Sequence, residues 1–582
     1  MAGNQVHYEV YLKKGPKAGW ALVEALDDRK KALDMGKGLL EESEKYSVRV
    51  TKETFKADGD FLTITLFEQG YASDGKDEDE DKEVEIPCFK TSDLYSIHAR
   101  ATIAKALEGA LSRWMITPSE LMHSPEWVEK LELAGTELQH AVQKVSIIQS
   151  GERGDSVQKV VKKLNELVFA AIEQVHADGN RGVLGKSAKG DIVAFATKVA
   201  AKGDAGYRLR GAVAEDLKSV SGWSKKLAAA LDMLSALPED EAVRTLCLEA
   251  VDDFAAEILS SPAKTKDLFG PDGDLGDWLT LMIETFLGAA HNMETAPKGV
   301  RVLSGHFAKD RLPCTRTALG ERILQELMHG VRLREADLRA EVKLVRKLAS
   351  RIILGQGPHL SVDQIQEAFT RRSRRFVTPE AITEYGEDAQ TPIERICLLF
   401  DMEENIVGTE NRRALSGFIM PLVSAANTET YILELKESSV RKLQRVAQMQ
   451  KRADESNFPP DQKRALKDAF DLLAVKVEER LGLLQAIERQ PLTTAERTLA
   501  LLRLVARGVL TEGECAMRAK RIAAKLMRDP AFMEGFVKGG ANAGDPKAML
   551  MELKSLMSAT GLNRFGVADG AQGEKPKAKT VN

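Results

Sequence analysis

Apolar and polar positions alternate over 6–12 and again over 20–26, the period that sends successive side chains to opposite faces of a strand. Gly15-Pro16 between them is a turn signal, so the two segments predict a β-hairpin. The period becomes helical over 29–45. Alternation then returns over 47–55 and 61–67, with Val48, Val50, Leu62, Ile64 and Leu66 as inward candidates and Asp58-Gly59-Asp60 as the turn. The pattern predicts a small ββαββ module over 1–72. Within it, Tyr8, Tyr11 and Trp20 are expected to pack against Leu33 and Leu39 of the helix; a binding surface at an exposed sheet edge is the alternative.

From 92 to 562 the dominant period is helical. Leu275, Trp278, Leu279, Met282, Ile283 and Phe286 share one face, as do Leu466, Phe470, Leu473, Val477, Leu481 and Leu484. Start signals agree: Thr117 to Glu120, Ser361 to Gln364 and Thr511 to Glu514 read as capping boxes, and Thr378-Pro379 puts proline at a first helical position. Segments 440–452 and 462–488 predict an antiparallel helical hairpin across Phe458-Pro459-Pro460. Glycine-, proline- or charge-rich breaks near 177–189, 260–276, 296–315 and 355–360 suggest subdomains at 92–300 and 301–565. The expected fold is therefore mainly α, a multi-subdomain helical body preceded by a small N-terminal α/β module.

Charge sharpens these limits. Between 73 and 85 the chain carries eight acidic residues, two lysines and one apolar residue, Val84. Such a run buries too little surface to offset its ordering entropy and reads as a solvated linker over 73–91. The polar stretch 566–582 reads as a disordered tail. With 83 Lys plus Arg against 87 Asp plus Glu, the formal charge of −4 gives no reason to expect a polyanionic partner for the whole chain. Cys88, Cys247, Cys314, Cys397 and Cys515 lack the close spacing of zinc or redox motifs. Reduced thiols, no secretory signal and no long apolar run lead to the expectation of a cytoplasmic protein without membrane insertion.

Candidate chemistry is sparse. Glu-x-x-His occurs at Glu120/His123, Glu137/His140, Glu173/His176 and Glu326/His329, four of nine histidines, where composition alone gives about one. That spacing puts carboxylate and imidazole on one helix face, as in di-metal helical bundles. Glu137, His140, Glu173 and His176, on consecutive helices, form the candidate metal set. The competing reading is ordinary surface pairing, with Glu120 explained by its capping box. Arg371, Arg372, Arg374 and Arg375 form the densest basic cluster and are candidates for an anion or partner site, nucleic acid included. The preceding helical stretch interleaves Glu335, Asp337 and Glu341, which points instead to a solvated face or a protein partner.

Phosphate-binding, dinucleotide and nucleophile-elbow motifs are absent, no cofactor is implied, and no family's motifs map onto the chain. The leading expectation is a non-enzymatic adaptor or regulatory protein with protein partners. A metal-binding bundle or unrecognised enzyme, and a nucleic-acid binder using the arginine cluster, are the alternatives.

Overall fold

The computed structural model describes residues 6–13, 21–42, 47–55, 61–70, 86–153, 156–187, 191–269, 274–335, 337–537 and 546–562. The acidic run 73–85, the tail 566–582 and both predicted sheet turns lie outside them. The chain divides into two units, Met1–Ile86 and Pro87–Asn582.

In the first unit, β1 (Val6–Lys13), β2 (Ala21–Leu26), α1 (Arg29–Glu42), β3 (Ser47–Phe55) and β4 (Phe61–Gly70) follow the predicted order. The strands form one antiparallel sheet in the order β2-β1-β3-β4. Val10 pairs with Val50 and Leu12 with Val48, so alternation lines all four side chains on one face. There they are buried with Ala32 of α1, and Tyr8, Leu26, Leu33 and Leu39 pack around them. Tyr8 thus takes the packing role. Tyr11 belongs to the opposite face of β1 by alternation, and Trp20 lies outside the described residues. The side chains of β4, including Leu62, Ile64 and Leu66, are not described.

The second unit is helical, and two different kinds of core support it. One apolar cluster runs without interruption from Ile192 to Leu562. The residues before it form small separate clusters: Leu107, Leu111, Ile116, Leu121, Leu131 and Ala141 in one, Leu94, Met122 and Ala171 in another, and Val128, Ile172 and Val175 in a third.

Both apolar faces traced in the sequence are observed. Leu279, Met282, Ile283 and Phe286 are buried in the helix Leu275–Phe286, and Leu466, Phe470, Leu473 and Val477 in Pro460–Leu481. The stretches at 260–276 and 296–315 contain the helices Pro262–Phe269 and Lys298–Phe307, and the limit at 300 falls inside the second of these. Proline there precedes or opens helices: Pro297 is an N-cap and Pro313 sits in the first turn of Pro313–Met328. Gly276 permits a close approach, since a Cβ on it would lie 2.8 Å from the Leu333 carbonyl oxygen.

Capping boxes form at Thr117/Glu120 and Ser361/Gln364, and Thr378 caps the helix that Pro379 opens. The predicted box at Thr511 does not form. The helix Glu514–Met527 starts after Gly513, and its first amides are satisfied by Asp471 from another helix. Asp471 accepts from Glu514 N at 2.6 Å, Cys515 N at 3.2 Å and Thr511 Oγ1 at 2.6 Å. The predicted helical hairpin is present as Ser439–Glu455 and Pro460–Leu481. Its second helix stops before 488 because Gly482 takes a left-handed conformation, φ 62°, and Leu483–Arg489 is a separate helix.

Candidate functional site

Two features of the helical unit can bear function, a buried ionic seam and an exposed apolar groove. The seam starts from a run of charge inside an apolar helix. Glu241–Leu259 carries Asp252 and Asp253 among Val251, Phe254 and Ala255, all buried. A carboxylate is tolerated there only when its oxygens find donors.

Asp252 finds them at the start of the helix Pro313–Met328, accepting from Cys314 N at 2.9 Å, Thr315 N at 2.8 Å and Thr315 Oγ1 at 2.5 Å. Asp253 bridges two arginines, Arg100 Nη2 at 2.6 Å and Arg210 Nε at 2.6 Å. One helical turn later Glu257 accepts from Arg100 Nε at 2.7 Å, Ser119 N at 2.9 Å and Ser119 Oγ at 2.6 Å.

Beside this cluster lies Glu120, 0% exposed, paired with Lys226, 2% exposed. Its other oxygen accepts from Thr117 N at 2.9 Å, closing the capping box. Lys264 donates to the Glu257 carbonyl oxygen at 3.3 Å and stands 4.4 Å from the centre of the Trp223 ring. Burial pushes the Glu120 carboxyl above its ordinary pKa against the opposing pull of Lys226, and pushes Lys264 below its own.

His123 closes one end of the seam. Its Nδ1–H donates to the Ser119 carbonyl at 2.8 Å, and its ring packs against Tyr95 and Tyr207 at centroid distances of 5.3 and 5.1 Å. Burial drives its pKa down to about 4, which keeps the imidazole neutral. The carboxylate oxygens of Glu120, Asp253 and Glu257 all have donors within the protein. Such an arrangement ties helices together.

The candidate metal set is dispersed. Glu137 pairs with Arg113 at 2.8 Å, His176 Nε2 meets Glu132 at 2.8 Å, and the side chains of His140 and Glu173 are exposed. Among the described residues no three His, Cys, Asp or Glu side chains come together as a metal would require. The remaining Glu-x-x-His pair is also occupied otherwise, Glu326 by Arg322 at 2.8 Å.

The arginine cluster is split as well. Arg372 is 1% exposed and faces inward, bonded to Glu341 at 2.7 Å and to the carbonyls of His329 and Val331 at 2.7 and 2.6 Å. Arg375 also donates to the His329 carbonyl, at 3.1 Å. Arg374 and Arg375 remain exposed and Arg371 half-buried. Four consecutive-looking cations therefore do not make one surface, because helical rotation turns one of them into the core.

The groove lies between the helices Thr136–Arg153 and Val157–Asn180. It encloses about 810 Å³ and is lined by Ile147, Val157, Val161 and Phe169, with Gln143, Gln158, Lys162, Asn165 and Glu166 among them. Ile147 is 60% and Phe169 55% exposed. Both helices bury another face, through Ala141, Val142 and Val145 on the first and Val160, Ala171, Ile172 and Val175 on the second. They are apolar on more of their circumference than their own packing uses.

Sequence reasoning missed both features. The signal for the seam was the Asp252-Asp253 doublet inside an apolar run; for the groove it was Ile147-Ile148 and Phe169 lying off the core-facing stripe. Among the described residues no helix is long and apolar enough to cross a membrane. No protein-family model, curated protein or solved structure matches the chain.

Proposed function

We propose that this protein is a non-enzymatic adaptor that acts through protein–protein contacts, with the groove between Thr136–Arg153 and Val157–Asn180 as a docking site. The observation that carries this reading is the exposure of Ile147, Val157 and Phe169 around one concave surface. Exposed apolar side chains scattered singly need no partner, whereas apolar groups converging on a groove with a polar rim favour one. The adaptor reading also draws support from the seam, whose ionisable groups are engaged with one another. Five free cysteines suit the reducing cytoplasm as its compartment.

Affinity purification of the tagged chain from its native cell, with identification of the co-purifying proteins, tests the reading. A defined set of partners is expected, lost on Ile147→Ser/Phe169→Ser while the circular dichroism spectrum stays unchanged. Partners unaffected by that double substitution would remove the groove from the account.

A further inference from the structure

The lysines around the groove bear on the chemistry of its occupant. Over 143–169 the sequence carries five cations, Lys144, Arg153, Lys159, Lys162 and Lys163, against three acids, Glu152, Asp155 and Glu166. Lys144, Lys162 and Lys163 are exposed and have no ion-pair partner among the described residues. This local balance is opposite in sign to the formal charge of the whole chain, −4.

Helical rotation places two of these cations, Lys144 and Lys162, beside the apolar floor. Lys162 itself lines the groove, one position on from Val161, and Lys144 follows Gln143 on the facing helix. An occupant that laid a helix between the two would therefore meet an apolar floor with Lys144 on one flank and Lys162, followed one turn later by Glu166, on the other.

We infer that the occupant is an amphipathic helix whose apolar stripe is bordered by glutamate or aspartate. This rests on the docking reading above and adds the charge of the partner. Apolar side chains at i, i+3, i+4 and i+7 would seat on Ile147, Val161 and Phe169, and flanking carboxylates would face Lys144 and Lys162. Charge at the rim acts mainly on recognition and association rate, so the preference should weaken as salt is raised.

The test uses the full chain and two fluorescein-labelled helical peptides of about 18 residues with leucine at those four spacings, one with glutamate and one with lysine along the edges. Fluorescence anisotropy is expected to show the glutamate-edged peptide binding at least about tenfold more tightly, with the difference shrinking at high salt. The surface double variant Lys144→Glu/Lys162→Glu should reverse the preference. Equal binding of the two peptides, no binding of either, or an unchanged preference in the charge-reversed variant overturns the inference. A lysine-edged peptide that binds better, and is lost on Ile147→Ser/Phe169→Ser, overturns the acidic partner but leaves helix docking standing. Native partners that ignore Ile147→Ser/Phe169→Ser would instead remove the docking reading itself.

Discussion

At the residue scale, the pair Lys226–Glu120 shows how context sets the value of a charge. Both side chains are sealed from water, so removing one leaves the other buried without a counter-charge. Lys226→Met should cost about 3–5 kcal/mol in urea unfolding. Glu120→Gln/Lys226→Met should recover at least half of that loss, since a neutral amide can still accept from Thr117 N. Additive losses would contradict the coupling. His123 gives a pH dependence of definite sign. Its folded pKa, about 4, lies below the ordinary value of 6.5, so between the two the unfolded chain binds the extra proton. Its contribution to stability is complete above pH 6.5 and falls as pH drops towards 4, by at most about 1.4 kcal/mol per pH unit. His306, also held down to about 4 by burial, acts in the same direction, while the raised carboxyl of Glu120 acts in the opposite one. The slope of unfolding free energy over that range should flatten in His123→Phe, and an unaltered slope would show that the ring does not titrate this way.

At the scale of elements, what could be read from the sequence was what neighbours along the chain decide. The strands at 6–13 and 47–55 and the box at Thr117 follow from periods and spacings of four residues or fewer. Glu514–Met527 shows the limit. Its cap, Asp471, comes from a helix more than 40 residues earlier, at a spacing of 43 to Glu514. No local pattern announces such a cap, and the Thr511 hydroxyl that resembled a local one donates to the same carboxylate. Gly513 is part of that joint: at φ 142° a Cβ would come within 2.3 Å of Asp471 Oδ2. Gly513→Ala is therefore expected to destabilise the chain by about 1–3 kcal/mol in thermal or urea unfolding. A neutral result would mean that Asp471 can withdraw without loss. The same limit explains Arg372, whose inward turn depends on Glu341 and the carbonyls of 329 and 331 being presented by other segments.

At the scale of the whole helical unit, the seam joins the small apolar clusters of 94–175 to the continuous core that begins at Ile192. Arg100 spans that joint, holding Asp253, Glu257 and the Tyr95 carbonyl together. Arg100→Met should raise amide hydrogen exchange selectively in 97–180, leaving the interior of 241–259 and 460–481 protected. Uniform loss of protection would contradict a joint at this position. Neither the seam nor the groove was legible as a site, because each depends on which helices meet in space. The candidate residues that spacing did single out, Glu137, His140, Glu173 and His176, fulfil the helical geometry without converging. The central claim, docking in the groove, is tested most directly by photo-crosslinking in the native cell with a photoreactive residue in place of Gln158, and with exposed Glu387 as control. A discrete protein adduct from position 158 alone, abolished by Ile147→Ser/Phe169→Ser, is the predicted result. The same adducts from both positions, or an adduct indifferent to the double substitution, would contradict it.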